Sequence, residues 1–110
     1  MVNDFVRVAF THEIPPGTGR TVEADGIWIA VFNVEGTFYA VDNSCPHAGG
    51  PLGEGKLCEA VVECPWHGWK FNVISGERVG NPNFQVACCE VQIQGEEVWI
   101  AIPPALREPA

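Results

Sequence analysis

Positive charge is scarce in this chain. Six Lys and Arg stand against 14 Asp and Glu, a formal net charge of −8 over 110 residues. Nucleic acids and anionic membrane surfaces attract clustered Lys and Arg, so this balance argues against both as partners. Long apolar runs are missing too: nothing approaches the ~20 residues that span a bilayer. The opening MVNDFVRVAF lacks the basic leader and extended apolar core of a signal peptide. A cytoplasmic location is expected, where thiols stay reduced. Five cysteines, an odd number with Cys88 and Cys89 adjacent, suit no disulfide framework. The length, 110 residues, leaves room for one domain, 1–110.

Helical periodicity is absent as well. Short apolar runs alternate with turn signals, which predicts an all-β domain of about seven to ten strands. Phe5–Phe10 reads as a first strand, followed by a loop through Pro15, Pro16, Gly17 and Gly19. Ile27–Val34 and Thr37–Asp42 flank Glu35-Gly36, placed for a two-residue hairpin turn. Further strands are expected over 57–63 and 70–73, and a second hairpin, around Gly95, over 86–94 and 96–102. Two segments rich in Gly and Pro, 44–55 and 65–68, interrupt the pattern, and the tail after Ile102 reads as poorly ordered.

What is present is a set of soft donors. Cys45-Pro46-His47 is followed, sixteen residues later, by Cys64-Pro65-Trp66-His67, so two of the three histidines fall beside two of the five cysteines. Thiolate and imidazole suit iron and zinc. A mononuclear zinc site would usually group like ligands, cysteines in one arm and histidines in the other. Here each arm carries one of each. That mixing suits a two-iron cluster with both cysteines on one iron and both histidines on the other. The remaining histidine, His12, sits on a polar turn with no thiol close in sequence.

Cys-X-His, sixteen residues, then Cys-X-X-His, within CPHAGGPLGEG and CPWHGWKF, resembles the Rieske-type ferredoxins. The resemblance implies a β-sandwich-like antiparallel base with a small cluster-binding subdomain, here about 43–71. It implies one [2Fe–2S] cluster, with Cys45 and Cys64 on the buried iron and His47 and His67 on the outer one. It also implies that the 80–84 segment covers the cluster on a third side.

The formal charge of such a cluster is zero when oxidised and −1 when reduced, one reason its potential lies above that of all-cysteine clusters. High-potential relatives carry a loop disulfide and hydroxyl donors near the sulfurs. This chain has Ala48-Gly49-Gly50 after His47, and Trp69 and Phe71 at the hydroxyl positions. A potential near the bottom of the Rieske range, about −150 mV, is expected, falling further at alkaline pH as ligand imidazoles lose protons. Gly49, Gly50, Gly53, Gly55 and Gly68 either bring backbone N–H groups to the cluster or serve turns alone. Pro46, Pro51, Leu52, Pro65 and Trp66 are expected to shield it. Cys58, Cys88 and Cys89 read as buried strand residues, and Trp28 and Trp99 as core or sheet-face residues.

A cluster with no open position cannot bind substrate. His12 alone cannot complete the second iron site of an oxygenase, so the chain is a carrier and not itself an enzyme. The resemblance points to the ferredoxin component of an aromatic-ring-hydroxylating dioxygenase system. Its donor would be a flavoprotein NAD(P)H reductase, its acceptor a terminal oxygenase, and the carrier itself a monomer. A small Rieske subunit of an assimilatory nitrite reductase is the alternative. A structural zinc module and an iron–sulfur sensor are more remote.

Overall fold

The computed structural model describes residues 5–46, 49–66 and 68–107. Nine strands form among them: β1 (Phe5–Phe10), β2 (Thr18–Ala24), β3 (Ile27–Val34), β4 (Thr37–Asp42), β5 (Lys56–Cys58), β6 (Val61–Glu63), β7 (Lys70–Asn72), β8 (Cys88–Gln94) and β9 (Glu97–Ala101). Six build one sheet in the order β1-β9-β8-β4-β3-β2, and three build a small sheet, β5-β6-β7. Every strand pair is antiparallel. The expected all-β architecture is what forms.

Local chemistry explains the hairpins. Glu35 and Gly36 both have positive φ, 52° and 97°, the backbone a type I′ turn demands between β3 and β4. Asp25 and Gly26, at 52° and 80°, make the same turn between β2 and β3. β2 was not expected, because Gly19 reads as a breaker. Gly19 instead lies inside β2, paired with Phe32 of β3, and a Cβ there would meet the Phe32 ring at 2.4 Å. The glycine makes room for that ring.

The predicted 57–63 strand is in fact two. Glu59, at φ 55°, turns the chain so that β5 and β6 pair in a hairpin, Cys58 opposite Val61. The tail after Ile102 is also more regular than expected, with a single helical turn at Pro104–Arg107.

From Ile29 to Asn33 the central strand β3 is buried on both faces, which explains its nearly continuous apolar text, IWIAVFNV, broken only by Asn33. Ile29 and Val31 face a core shared with Ala9, Ile14, Val98 and Ile100. Ala30 and Phe32 face a second core that holds Val41, Leu52, Val62, Phe71, Cys45 and Cys64. The large sheet thus supports the loops of Cys45 and Cys64 from beneath with one face of β3 and β4, and the small sheet closes the second core from the other side.

Candidate metal centre

Cys45 follows β4 and Cys64 follows β6, and both are buried, at 2% and 1% exposure, in the same core. The two loops they open share one backbone pattern. The Cys45 N–H donates to the Gly50 carbonyl at 3.0 Å, and the Cys64 N–H to the Trp69 carbonyl at 2.7 Å, each five residues on. The Gly49 N–H donates to the Cys45 carbonyl at 2.7 Å, and the Gly68 N–H to the Cys64 carbonyl at 3.0 Å, each four residues on. Gly49 and Gly68 have φ of 75° and 78°, a conformation that costs a side chain-bearing residue but not glycine. Two tight loops of matching geometry therefore each present a buried thiol at the root. His47 and His67 lie between those closing bonds in sequence and fall outside the described residues.

The loops also touch. A Cβ on Gly50 would stand 2.8 Å from Cys64 Sγ and 3.0 Å from Trp66 Cγ, so only glycine lets the first loop lie against the sulfur of the second. The five glycines of the ligand segments thus divide. Gly49 and Gly68 serve turns and Gly50 serves the close approach to Cys64. Gly53 and Gly55 pack against β2 and β6, where a Cβ would meet Thr21 Oγ1 at 2.4 Å and the Glu63 carbonyl at 2.2 Å.

Asn43, just before the first loop, is a buried hub that was not singled out in the sequence. Its Oδ1 accepts from the Gly53 N–H at 2.7 Å and the Thr21 hydroxyl at 3.1 Å, and its carbonyl accepts from the Leu52 N–H at 2.8 Å. Both ends of the 44–52 loop are thereby tied to one side chain and to β2. A polar residue at a strand end beside a glycine-rich loop was the only available signal.

Around the cysteines, Leu52 is fully buried, whereas Pro46 and Pro65 are exposed and Trp66 is 58% exposed. Trp66 flanks a hollow of about 550 Å³ whose lining includes Glu54, Glu63, Cys64 and Pro65. Trp69 packs against the core and beneath Arg78, whose Cζ lies 3.4 Å from the Trp69 ring centroid, while Phe84 meets the same ring edge-on at 5.0 Å. The 79–85 segment is thus attached to the second loop.

The other cysteines correct an expectation. Cys89 is buried, but Cys58 and Cys88 are exposed. Cys88 and Cys89 are consecutive in β8, where side chains alternate between faces, so only one can enter the core. Cys58 shares the outward face of β5 with Lys56. Burial, and then the charges of Cys88 and Asp42, push the Cys89 thiol up to about 12. Burial also raises Asp42, opposed by the Ser44 N–H that its carboxylate accepts. Trp28 is a sheet-face residue at 58% exposure, and the Trp99 indole N–H donates to Glu97.

The Rieske [2Fe–2S] domain family matches residues 4–94. The chain belongs to that family. The cofactor is accordingly one Rieske-type [2Fe–2S] cluster, and the zinc reading falls. The buried thiol pair, the paired loops and the Gly50 contact suit such a cluster: they offer two buried soft donors at the roots of loops that lie against one another. The Rieske chain is 35% identical to ferredoxin CarAc of Metapseudomonas resinovorans over 99 residues, covering 88% of this chain and 92% of that one. It is 33% identical to the ferredoxin component of the naphthalene 1,2-dioxygenase system of Pseudomonas aeruginosa, covering 91% and 97%. A solved complex of reduced oxygenase and oxidised ferredoxin in carbazole 1,9a-dioxygenase contains a chain with TM-score 0.81 and 34% identity, covering 91% and 94%. A solved structure described as a putative NADH-dependent nitrite reductase small subunit from Mycobacterium tuberculosis has TM-score 0.84 at 20% identity, covering 94% of this chain and 98% of that one, a likeness of fold alone. No described helix is long and apolar enough to cross a membrane.

Proposed function

We propose that this chain is a one-electron carrier of an aromatic-ring-hydroxylating dioxygenase system, a single Rieske domain whose cluster-binding unit spans about 43–71. Cys45 and Cys64 would hold one iron of the cluster, and His47 and His67 the other. The donor is a flavoprotein NAD(P)H reductase, the acceptor a terminal oxygenase, and the location the cytoplasm. The observation that carries this reading is the pair of equivalent loops, each rooted on a buried cysteine and each with a histidine inside its closing hydrogen bonds.

The chain's own residues bind the cluster and exclude water on the core side through Leu52, Phe71 and Phe32. On the open side they leave Pro46, Pro65 and Trp66 as a small neutral platform. When bound, the cluster accepts and returns one electron without exchanging ligands. Electron-transfer encounters bury little area, often less than about 1,200 Å². A compact platform on a chain of net charge −8 fits brief docking to a partner with a basic rim.

Purified protein, reduced by NADH through a reductase of such a system, tests the proposal. The expected results are about two irons and two sulfides per chain, a Rieske EPR signal on reduction, and turnover of an oxygenase that stalls without the carrier. Zinc in place of iron, or no reduction by any reductase of this class, refutes it.

A further inference from the structure

Arg78 is one of only six cations in the chain, and its place is unusual. Arg7 pairs with Glu97 at 3.4 Å, whereas Arg78 has no carboxylate within ion-pair distance among the described residues. Its guanidinium lies instead 3.4 Å above the Trp69 ring and 5.8 Å from the Phe84 ring centroid. Cation–π attraction acts within about 6 Å of a ring, so both rings hold it.

The backbone around Arg78 is equally fixed. Arg78 bridges Phe71 beside β7, the Arg78 N–H donates to the Phe84 carbonyl at 2.9 Å, and the Val79 N–H donates to the Lys70 carbonyl at 2.8 Å. Trp69, which carries the guanidinium, accepts the Cys64 N–H through its carbonyl. One side chain therefore links the second ligand loop to the 79–85 segment and keeps an unpaired positive charge next to that loop. A surface cation free to swing into water would be screened and averaged; a half-buried one fixed on two rings is screened less.

We propose that Arg78 is a positioning residue for electron transfer: stacked on Trp69 and Phe84, it holds a fixed positive charge beside the second ligand loop and thereby favours the reduced state. Adding one electron changes the site's charge by −1, with no bond made or broken, and a fixed cation nearby stabilises that extra charge. Absent hydroxyl donors at Trp69 and Phe71 leave the potential low; Arg78 keeps it from being lower. This rests on the assignment of the 64–69 loop as a ligand loop.

The test is a potentiometric titration of holoprotein at low ionic strength, with the EPR signal and visible spectrum recorded alongside. Arg78→Gln is expected to lower the potential, and Arg78→Lys, which keeps the charge, to restore most of the drop. An unchanged potential in Arg78→Gln overturns the proposal, as does an equal drop in both variants, which would assign the effect to stacking alone. If Arg78→Gln fails to retain its cluster, Arg78→Met, which keeps the packing of the stem, takes its place with the same expected drop. If neither neutral variant holds a cluster while Arg78→Lys does, the charge serves assembly and the proposal fails. Wild-type protein without a Rieske EPR signal would instead sink the ligand assignment itself.

Discussion

At the scale of single residues, Gly50 decides whether the Cys45 and Cys64 loops can meet. A methyl group there would press on Cys64 Sγ and Trp66 together; the exposed Trp66 ring can yield, but Cys64 is rooted in the core and cannot. Disturbing groups around a metal's ligands typically costs about 10–100-fold in affinity. Gly50→Ala is therefore expected to lose most of its iron during chelator challenge, read as visible absorbance, while Gly49→Ala strains a turn without touching the sulfur. The thiols give a second prediction. Native holoprotein is expected to react with a thiol reagent only at the exposed Cys58 and Cys88, with Cys89 reacting after unfolding. Mass mapping of labelled peptides checks this. Because the folded Cys89 thiol sits at about 12, above its ordinary 9.0, the native state holds its proton longer than the unfolded chain does. Its contribution to stability is intact below pH 9 and is lost as pH rises toward 12; Cys89→Ala is expected to flatten that alkaline decline in melting temperature.

At the scale of elements, Asn43 couples the first ligand loop to β2. Asn43→Ala would leave the Gly53 N–H and Thr21 hydroxyl unpaired in a buried site, a cost of about 1–3 kcal/mol. A thermal melt of holoprotein is expected to show that loss, with Thr21→Val milder because Gly53 keeps its acceptor. Sequence reasoning locates several elements from turn chemistry alone: Glu35-Gly36 announces its hairpin, and β1, β3 and β4 have the predicted bounds. It misses β2 although Asp25-Gly26 is as strong a hairpin signal, because Gly19 suggests a break. What removes the break is the Phe32 ring, which comes from the neighbouring strand. The hairpin within 57–63 was hidden for a similar reason: Glu59 adopts positive φ without being Gly, Asn or Asp. Trp69 is a further case. Its lack of a hydroxyl is legible, but its role as the platform for Arg78, nine residues away, is not. Trp69→Ser therefore adds a donor and releases a cation at once, with opposed effects on the potential.

At the scale of the whole molecule, the proposed function assigns the excess acid to steering and the exposed Pro46, Pro65 and Trp66 to contact. Trp66→Ala is expected to weaken association with the oxygenase by about 1–2 kcal/mol, roughly five- to thirtyfold, and to leave the potential unchanged; stopped-flow electron transfer over a range of oxygenase concentrations separates the two. The second-order rate is expected to fall with added salt, since the Debye length is only ~10 Å at 0.1 M. A rate indifferent to salt would remove steering from the account.

Sequence alone determined the cofactor class and the fold class, because ligand identity, ligand spacing and two-residue turns are local properties of the chain. The tertiary structure decided which side each residue serves. β3 divides its apolar residues between two cores, one of which holds Cys45 and Cys64; Cys88 and Cys89 part company across one strand; Gly50 meets a sulfur from another loop; and Arg78 finds its aromatic seat. Which face of a strand turns inward and which loops meet depend on the packing of the folded chain, and no local stretch of sequence states either.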